Sequence, residues 1–495
     1  MREVELAGSL GLLARSGPSS ARSVRRARSR AERLAWRVGR AEAWRTPARA
    51  RMLGGVAAAQ APPSASGLPA RTASGSPLGV PDVQAWDSSA EVPRHVVRRG
   101  VLGGRSFSNP WPAGGLGKGP GEVFRLLRTP RPAVASAGEL SGALAPVAYD
   151  VAGAAAQRAG DPLRATWISH ATVLVQVGGR VVLTDPVFGR AGPFESWGPV
   201  ARFAPPPVAA EGLGVRVDVV LISHLHYDHL SLSSARTINK QAGGPPLWVV
   251  PLGLRSLIER TGARDVVELG WWDSIELAAA GPGGGGGGAL GAAAAAAAAA
   301  DNTDDDAGAA LPLRVTMIPA QHWSSRYGWD RNATLWGGFV VASARERFLF
   351  AGDTGYVPGL YKQVRELLGP IDLAALPIGA YAPRSFMADQ HCDPEEAVKM
   401  HLELGAARSL AIHWGTFPMA WDGPLEAPRL LVRAARRAGA AALGFEVLRH
   451  GESVVLGRAR SVPCCWLAEL DAEAKGETKG AAGGPDGAGA APGRL

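Results

Sequence analysis

Three histidines and one aspartate fall within six positions, His224, His226, Asp228 and His229, in a chain of 495 residues that carries ten histidines in all. Neutral imidazole nitrogen and carboxylate oxygen suit zinc and similar borderline cations. His224 and His226 are two residues apart, so in an extended segment both project to one side. Asp228 and His229 follow where the chain bends and can face a second point, an interleaving that suits two ions better than one. A polar loop whose histidines cluster by accident is the plain alternative, and the scarcity of histidine elsewhere argues against it.

The same kind of side chain recurs at the ends of other apolar runs. Asp185 closes the run that ends VVLT, His322 lies just beyond LRVTMIPA, Asp353 follows RFLFAG and His413 follows SLAI. Strand ends in an open α/β sheet converge at one edge, where such sheets place their sites. Two zinc-like ions take roughly six to eight protein ligands between them, and His224, His226, Asp228, His229, His322, Asp353 and His413 match that need. Taken singly, His322 and His413 would read as ordinary structural histidines and Asp185 as a turn-capping acid. Beside H-x-H-x-D-H they form a constellation, and the chemistry it suggests is metal-assisted hydrolysis.

The elements that must deliver these groups are short. VVLI before Ser223 reads as a buried strand and residues 231–241 as a helix behind it. Residues 166–188 read as two strands joined at Gly178-Gly179, a hairpin signal. Further strands are expected over 247–253, 313–319, 371–378, 409–412 and 445–456, with another hairpin from 337–343 and 347–351. Asp393-Pro394-Glu395-Glu396 offers a capping acid, a first-position proline and a third-position glutamate to a helix, and 424–438 reads as an Arg-rich helix. Strands alternating with helices give an α/β class.

Composition bounds the rest. The chain has 64 glycines and 38 prolines, and its 46% apolar content is inflated by alanine, so much of its length is not core-forming. The net charge of +9 is not spread evenly: residues 1–100 hold 17 basic against 7 acidic side chains, and the remaining 36 and 37 nearly cancel. The folded part therefore has no positive surplus that calls for nucleic acid. Residues 1–92 read as a disordered basic extension, with an organellar targeting segment over 1–90 or a contact to anionic membrane as its use; Glu3, Glu5, Glu32 and Glu42 weaken the first. Residues 93–460 read as the folded domain. Within it, residues 281–310 (GPGGGGGG, nine alanines, DNTDDD) carry no packing code and read as a disordered insertion, as does the tail 461–495. Cys392, Cys464 and Cys465 cannot build a disulfide framework, which points to a reducing, intracellular setting. No apolar run is long enough to span a bilayer.

The order His224-x-His226-x-Asp228-His229, then His322, Asp353 and His413, resembles the metallo-β-lactamase superfamily. At closer range NPWP at 109, SHATVLVQ at 169, TDPVF at 184, SHLHYDHLS at 223, PAQHWSSR at 319, GDTGY at 352, PIGAYAPRSFM at 377, QHCDPEEAV at 390 and AIHWGTF at 411 resemble the N-acylphosphatidylethanolamine-hydrolysing phospholipase D family, from about Pro93 to Gly451. The resemblance implies an αβ/βα sandwich with two zinc ions (Zn2+). His224, His226 and His322 would hold one, Asp228, His229 and His413 the other, with Asp353 bridging. It implies further that Asp185 stands beside a bridging hydroxide that attacks phosphorus, and that Gln390 and His391 line the phosphate and amide end of the substrate. Tyr227 is counted with them as substrate-binding. His391 would offset charge on the phosphoryl oxygens or protonate the leaving alkoxide.

The implied reaction is hydrolysis of N-acylphosphatidylethanolamine to N-acylethanolamine and phosphatidic acid by a peripheral, membrane-associated enzyme, often a homodimer. A lipid substrate asks for exposed apolar loops, with Trp111, Trp197, Phe203 and Pro205–Pro207 as candidates, and for cavity-lining aromatics among Trp323, Trp329 and Trp336. The alternative is a soluble hydrolase of the same fold, such as a sugar-phosphate lactonase, which would share the metal ligands without needing the segments at 377–396.

Overall fold

A computed structural model describes residues 94–99, 105–111, 144–192, 200–279, 310–439 and 444–457, with three single positions between 121 and 142. The basic extension 1–92, Trp197, residues 281–309 of the insertion, Cys464, Cys465 and the tail 461–495 lie outside the described residues.

A short hairpin of β1 (Val96–Arg99) and β2 (Arg105–Ser108) precedes two seven-stranded sheets. The first contains β3 (Arg164–Ser169), β4 (Thr172–Val177), β5 (Arg180–Thr184), β6 (Val219–Leu221), β7 (Leu247–Pro251) and β8 (Asp265–Leu269). The second runs in chain order through β9 (Ser274–Leu277), β10 (Leu313–Ile318), β11 (Gly338–Ala342), β12 (Arg347–Phe350), β13 (Leu373–Pro377), β14 (Arg408–Ile412) and β15 (Phe445–Glu446). The last strand, β16 (Ser453–Val455), returns to the first sheet beside β3. In both sheets an antiparallel part passes into a parallel part, at β5–β6 and at β12–β13.

Alternation along the strands builds the layers. Trp167, Val173, Val175, Leu221 and Val249 share one core with Met317, Phe339, Phe348 and Phe350 of the facing sheet. Their chain neighbours Ile168, Leu174, Val220, Trp248 and Val250 enter a second core, with α1 (Val151–Ala156), α2 (Leu232–Ile238) and α3 (Arg255–Glu259). After α4 (Leu360–Leu368) and α5 (Arg384–Met387), helix α6 (Pro394–Leu404) packs on β13 and against α7 (Glu426–Arg437). The result is an αβ/βα sandwich. Strands covered on both faces carry near-continuous apolar runs, which is why VVLI and its counterparts read as buried. Phe339, Phe348 and Phe350 are wholly buried, and truncating one to alanine would cost about 3–5 kcal/mol.

Several expectations hold in detail. Gly178 and Gly179 turn between β4 and β5 with φ of 57° and 77°, and Val177 pairs with Arg180 across them, the backbone a two-residue hairpin needs. Ser231 caps α2, and Asp393 and Glu396 form a reciprocal capping box on α6. Others do not. Residues 166–177 are not one strand: the chain reverses at His170-Ala171 into β3 and β4, with His170 at φ 50°. Residues 445–456 divide between the two sheets as β15 and β16. Trp111 is not an exposed anchor but is buried on Trp271, ring centroids 5.6 Å apart. Trp336 is core, its Nε1 donating to the Ala320 carbonyl. Among the described residues no helix is long and apolar enough to cross a membrane.

Candidate metal centre

Five strands end at one edge of the sandwich and each delivers a polar group there. β6 leads into His224–His229, β10 into His322, β12 into Asp353, β14 into His413 and β5 into Asp185. The first three imidazoles meet with His224 Nε2 2.7 Å from His226 Nδ1, and His226 Nδ1 3.3 Å from His322 Nε2. Beside them Asp228 Oδ2 lies 3.4 Å from His229 Nε2 and 3.6 Å from His413 Nε2, and those two nitrogens are 3.2 Å apart. Asp353 stands between the groups. Its Oδ2 is 3.1 Å from His229 Nε2, 3.7 Å from His322 Nε2 and 3.9 Å from His224 Nε2, and its Oδ1 is 3.1 Å from His413 Nε2. Ligands about 2.0–2.1 Å from a tetrahedral ion are about 3.3 Å from one another, so both triads have the spacing of a ligand set. Asp353 Oδ1 is buried, and its neighbour His413 Nε2 stands out of line for a hydrogen bond, as around an acceptor reserved for a cation.

A surrounding layer fixes which atom each group presents. His229 Nδ1 is 2.6 Å from Asp185 Oδ2, and Asp185 Oδ1 accepts from the Ser223 amide at 2.7 Å. The Ser223 hydroxyl also donates to Asp185 Oδ2. With Nδ1–H spent on a carboxylate, His229 offers Nε2 to the centre. His322 Nδ1 is held in the same way by the Gln390 carbonyl at 2.8 Å. His170, Asp185 and His413 all adopt positive φ, 50°, 34° and 64°, a costly backbone state for non-glycine residues that collects at functional sites.

Electrostatics divide the two triads. Burial, then the other nearby imidazoles, drives His224 well below its usual range, His226 to about 3 and His322 to about 4, so all three are neutral at physiological pH. Burial also opposes charge on His413 and His229, but Asp353 and Asp228 outweigh it, pushing His413 up to about 9 and His229 well above its normal value. Against the same burial, His229 above all holds Asp228 and Asp353 well below the usual carboxylate range. Two ionised carboxylates sealed among imidazoles are the electrostatic demand that a divalent cation satisfies.

The remaining expected residues take different places. His391 is buried, with Nδ1 unpartnered and 3.9 Å from Asp353 Oδ2, and its ring lies 5.1 Å from His322 and 5.4 Å from His413. Gln390 is half-buried, its Oε1 accepting from Trp323 Nε1 at 2.6 Å. Tyr227 packs beside Val187, Ala191 and Phe417, with the Arg326 guanidinium 4.2 Å from its ring centre. Asp185 lies at the same centre, in a group with His224 and His229. Both its oxygens are taken by His229 and Ser223, and it is wholly buried behind the imidazole. Its parallel neighbour β6 delivers Ser223 directly over it, which fixes that orientation.

His170 belongs to the site and was not foreseen. Its Nε2 is 3.0 Å from Asp228 Oδ2, its ring lies 4.0 Å from that of His413, and its carbonyl accepts from the His413 amide. Its place inside SHATVLVQ was the available signal, but a histidine inside an apparent strand reads as a packing residue.

Comparison with known proteins agrees with this geometry. Residues 180–414 match the family described as "Beta-lactamase superfamily domain". The chain thus carries a metallo-β-lactamase domain over these residues. Over 263 residues it is 37% identical to N-acyl-phosphatidylethanolamine-hydrolyzing phospholipase D 1 of Caenorhabditis elegans, covering 52% of this chain and 65% of that one. Over 267 residues it is 30% identical to N-acyl-phosphatidylethanolamine-hydrolyzing phospholipase D, mitochondrial, of Saccharomyces cerevisiae, covering 54% and 50%. The chain thus spans less than two thirds of either relative. Among solved structures, Igni18, a metallo hydrolase of Ignicoccus hospitalis, aligns with 19% identity and a TM-score of 0.37 over 60% of this chain and 99% of that one.

Proposed function

We propose that the chain is a zinc-dependent phosphodiesterase of the phospholipase D type, hydrolysing N-acylphosphatidylethanolamine to N-acylethanolamine and phosphatidic acid. The observation that carries the reading is the pairing of two ligand triads across one carboxylate, Asp353, with a histidine of neither triad, His391, turned to the same carboxylate. The activity named for the nematode and yeast relatives supports the substrate.

One zinc ion would be held by His224, His226 and His322, a second by Asp228, His229 and His413, with Asp353 between them. When bound, such a pair supplies Lewis acidity toward phosphoryl oxygens and lowers the pKa of water toward neutrality. Asp185 keeps the proton of His229 on Nδ1, and the Gln390 carbonyl does the same for His322. His391 Nδ1 would hydrogen-bond a phosphoryl oxygen, or pass a proton to the ethanolamine oxygen as its bond to phosphorus breaks. Water supplies the oxygen that remains on phosphatidic acid. Gln390 and Tyr227 would line the path of the substrate. The substrate is presented at a membrane surface, so the enzyme acts there as a peripheral, intracellular protein, and the family resemblance adds a homodimer to the proposal. Delivery to an organelle through residues 1–90 is supported by their basic composition and by the mitochondrial yeast relative.

The test joins elemental analysis to product identification. Two zinc ions per chain and release of N-acylethanolamine from a detergent-dispersed N-acylphosphatidylethanolamine are expected. Turnover of lactones without any N-acylethanolamine would replace the proposal with a soluble hydrolase of the same fold.

A further inference from the structure

We propose that the loop spanning 323–332 is a membrane-docking wedge that seats Trp329 and Tyr327 in the interfacial zone of a phospholipid bilayer. The inference rests on the phospholipid reading of the centre and adds to it the surface by which the protein meets its substrate.

Trp329 is 78% exposed and Tyr327 47%, and no other tryptophan, tyrosine or phenylalanine among the described residues is exposed to this degree. The two rings stack on each other, centroids 5.3 Å apart at 15°. Singly exposed apolar residues need no explanation, but a stacked pair held clear of the surface does. Each ring joins an apolar body to a polar tip, the combination that favours the headgroup zone of a bilayer.

The loop does not allow the pair to fold back. Asp330 Oδ1 accepts from the Ser325 hydroxyl and from the amides of Arg326 and Tyr327 at 2.7, 3.0 and 2.9 Å. Arg326 is buried, and its Nη1 donates to the Leu230 carbonyl at 2.9 Å. The Asn332 amide donates to the Ser324 carbonyl at 2.6 Å and closes the base. A face built this way needs little ordering on contact.

Charge and position favour a lipid surface over other occupants. The carboxylate of Asp330 is spent within the loop, and the exposed Arg331 lays its guanidinium 4.4 Å from the Trp323 ring centre, which adds positive charge to this face, the sign that suits a phospholipid surface. The loop begins one residue after His322, and the Trp323 ring is 4.4 Å from that of His226. His226 and Trp323 are partly exposed while His224 and His322 are buried, so the centre opens on the side where the wedge stands.

Flotation of the full chain with neutral phosphatidylcholine vesicles tests this, since uncharged vesicles give the basic residues 1–100 little to bind. Wild type floats, and the double variant Tyr327→Ser/Trp329→Ser, with unchanged metal content, partitions at least roughly tenfold less, equivalent to about 1.4 kcal/mol. Leu367→Ser, at an exposed position of α4, floats as wild type. Equal flotation of the double variant, or no flotation of wild type, overturns the proposal. So does a double variant that drops from dimer to monomer in light scattering, which would make the pair an interface between copies. Failure of wild type to release N-acylethanolamine in detergent sinks the phospholipid reading instead, and leaves vesicle partition as a separate result.

Discussion

At the scale of single residues, the centre separates groups that would hold metal from groups that act beside it, and substitution distinguishes them. Asp353 faces both triads, so Asp353→Asn is expected to lower bound zinc and abolish turnover; two zinc ions per chain with a normal rate would remove it from the bridging place. His391 has no imidazole within 5 Å by ring centre and no bonded partner on Nδ1. His391→Ala should therefore lower kcat by roughly 10²–10⁴-fold, the usual contribution of a proton-transfer group, while elemental analysis still finds two ions. Asp185 acts through His229. Asp185→Asn should weaken zinc affinity by about 10–100-fold, as loss of such a partner commonly does, and a chelator titration that matches wild type would contradict this. These roles differ in how visible they are in sequence. The ligand set is legible because four of its members are nearly consecutive and the others close apolar runs. The direction Asp185 faces is not, because it depends on Ser223 arriving from the adjacent parallel strand. His170 was hidden for the same reason: its partner Asp228 is 58 positions away.

At the scale of elements, legibility follows burial. β5, β6, β7, β13 and β14 lie inside their sheets, and their unbroken apolar runs announce them. β8 and β9 were missed, and both are edge strands. Their sequences DVVEL and SIEL mix charge with apolar residues because part of each strand meets solvent. The break between β3 and β4 was missed because its turn uses His170 at positive φ where glycine or asparagine would have signalled it. Helix α6 was legible from its cap, and it carries a test of its own. His401, in its last turn, is buried with Nδ1 2.7 Å from the Ser409 hydroxyl of β14, and burial drives its pKa down to about 4. Unfolded histidine titrates near 6.5, so as pH falls below that value the unfolded chain takes up a proton that the fold refuses. Stability is then full above 6.5 and is lost progressively down to about 4. His401→Gln, which cannot be protonated, should flatten the fall in Tm across that window; an unchanged pH profile would show that His401 does not control it.

At the scale of the whole molecule, the question is why an uncoded stretch of glycine, alanine and aspartate is tolerated in the same domain as a site that needs close positional order. Leu277 of β9 pairs directly with Leu313 of β10, so the chain leaves and re-enters the sheet at adjacent points. Those points lie at the start of β10, whereas His322 follows its far end. Six residues of strand at about 3.3 Å each place about 20 Å between the two. A connection joining neighbouring strands at the end remote from the ligands costs only about 0.6 kcal/mol per doubling of its length. Replacing residues 281–309 with a short glycine-containing turn should thus leave two zinc ions per chain, keep turnover within about twofold and hold or slightly raise Tm, because closing a shorter loop costs less entropy. Loss of metal or a large fall in Tm in that variant would mean that the insertion contacts the sandwich and shapes the centre, against the separation that the register of β9 and β10 implies.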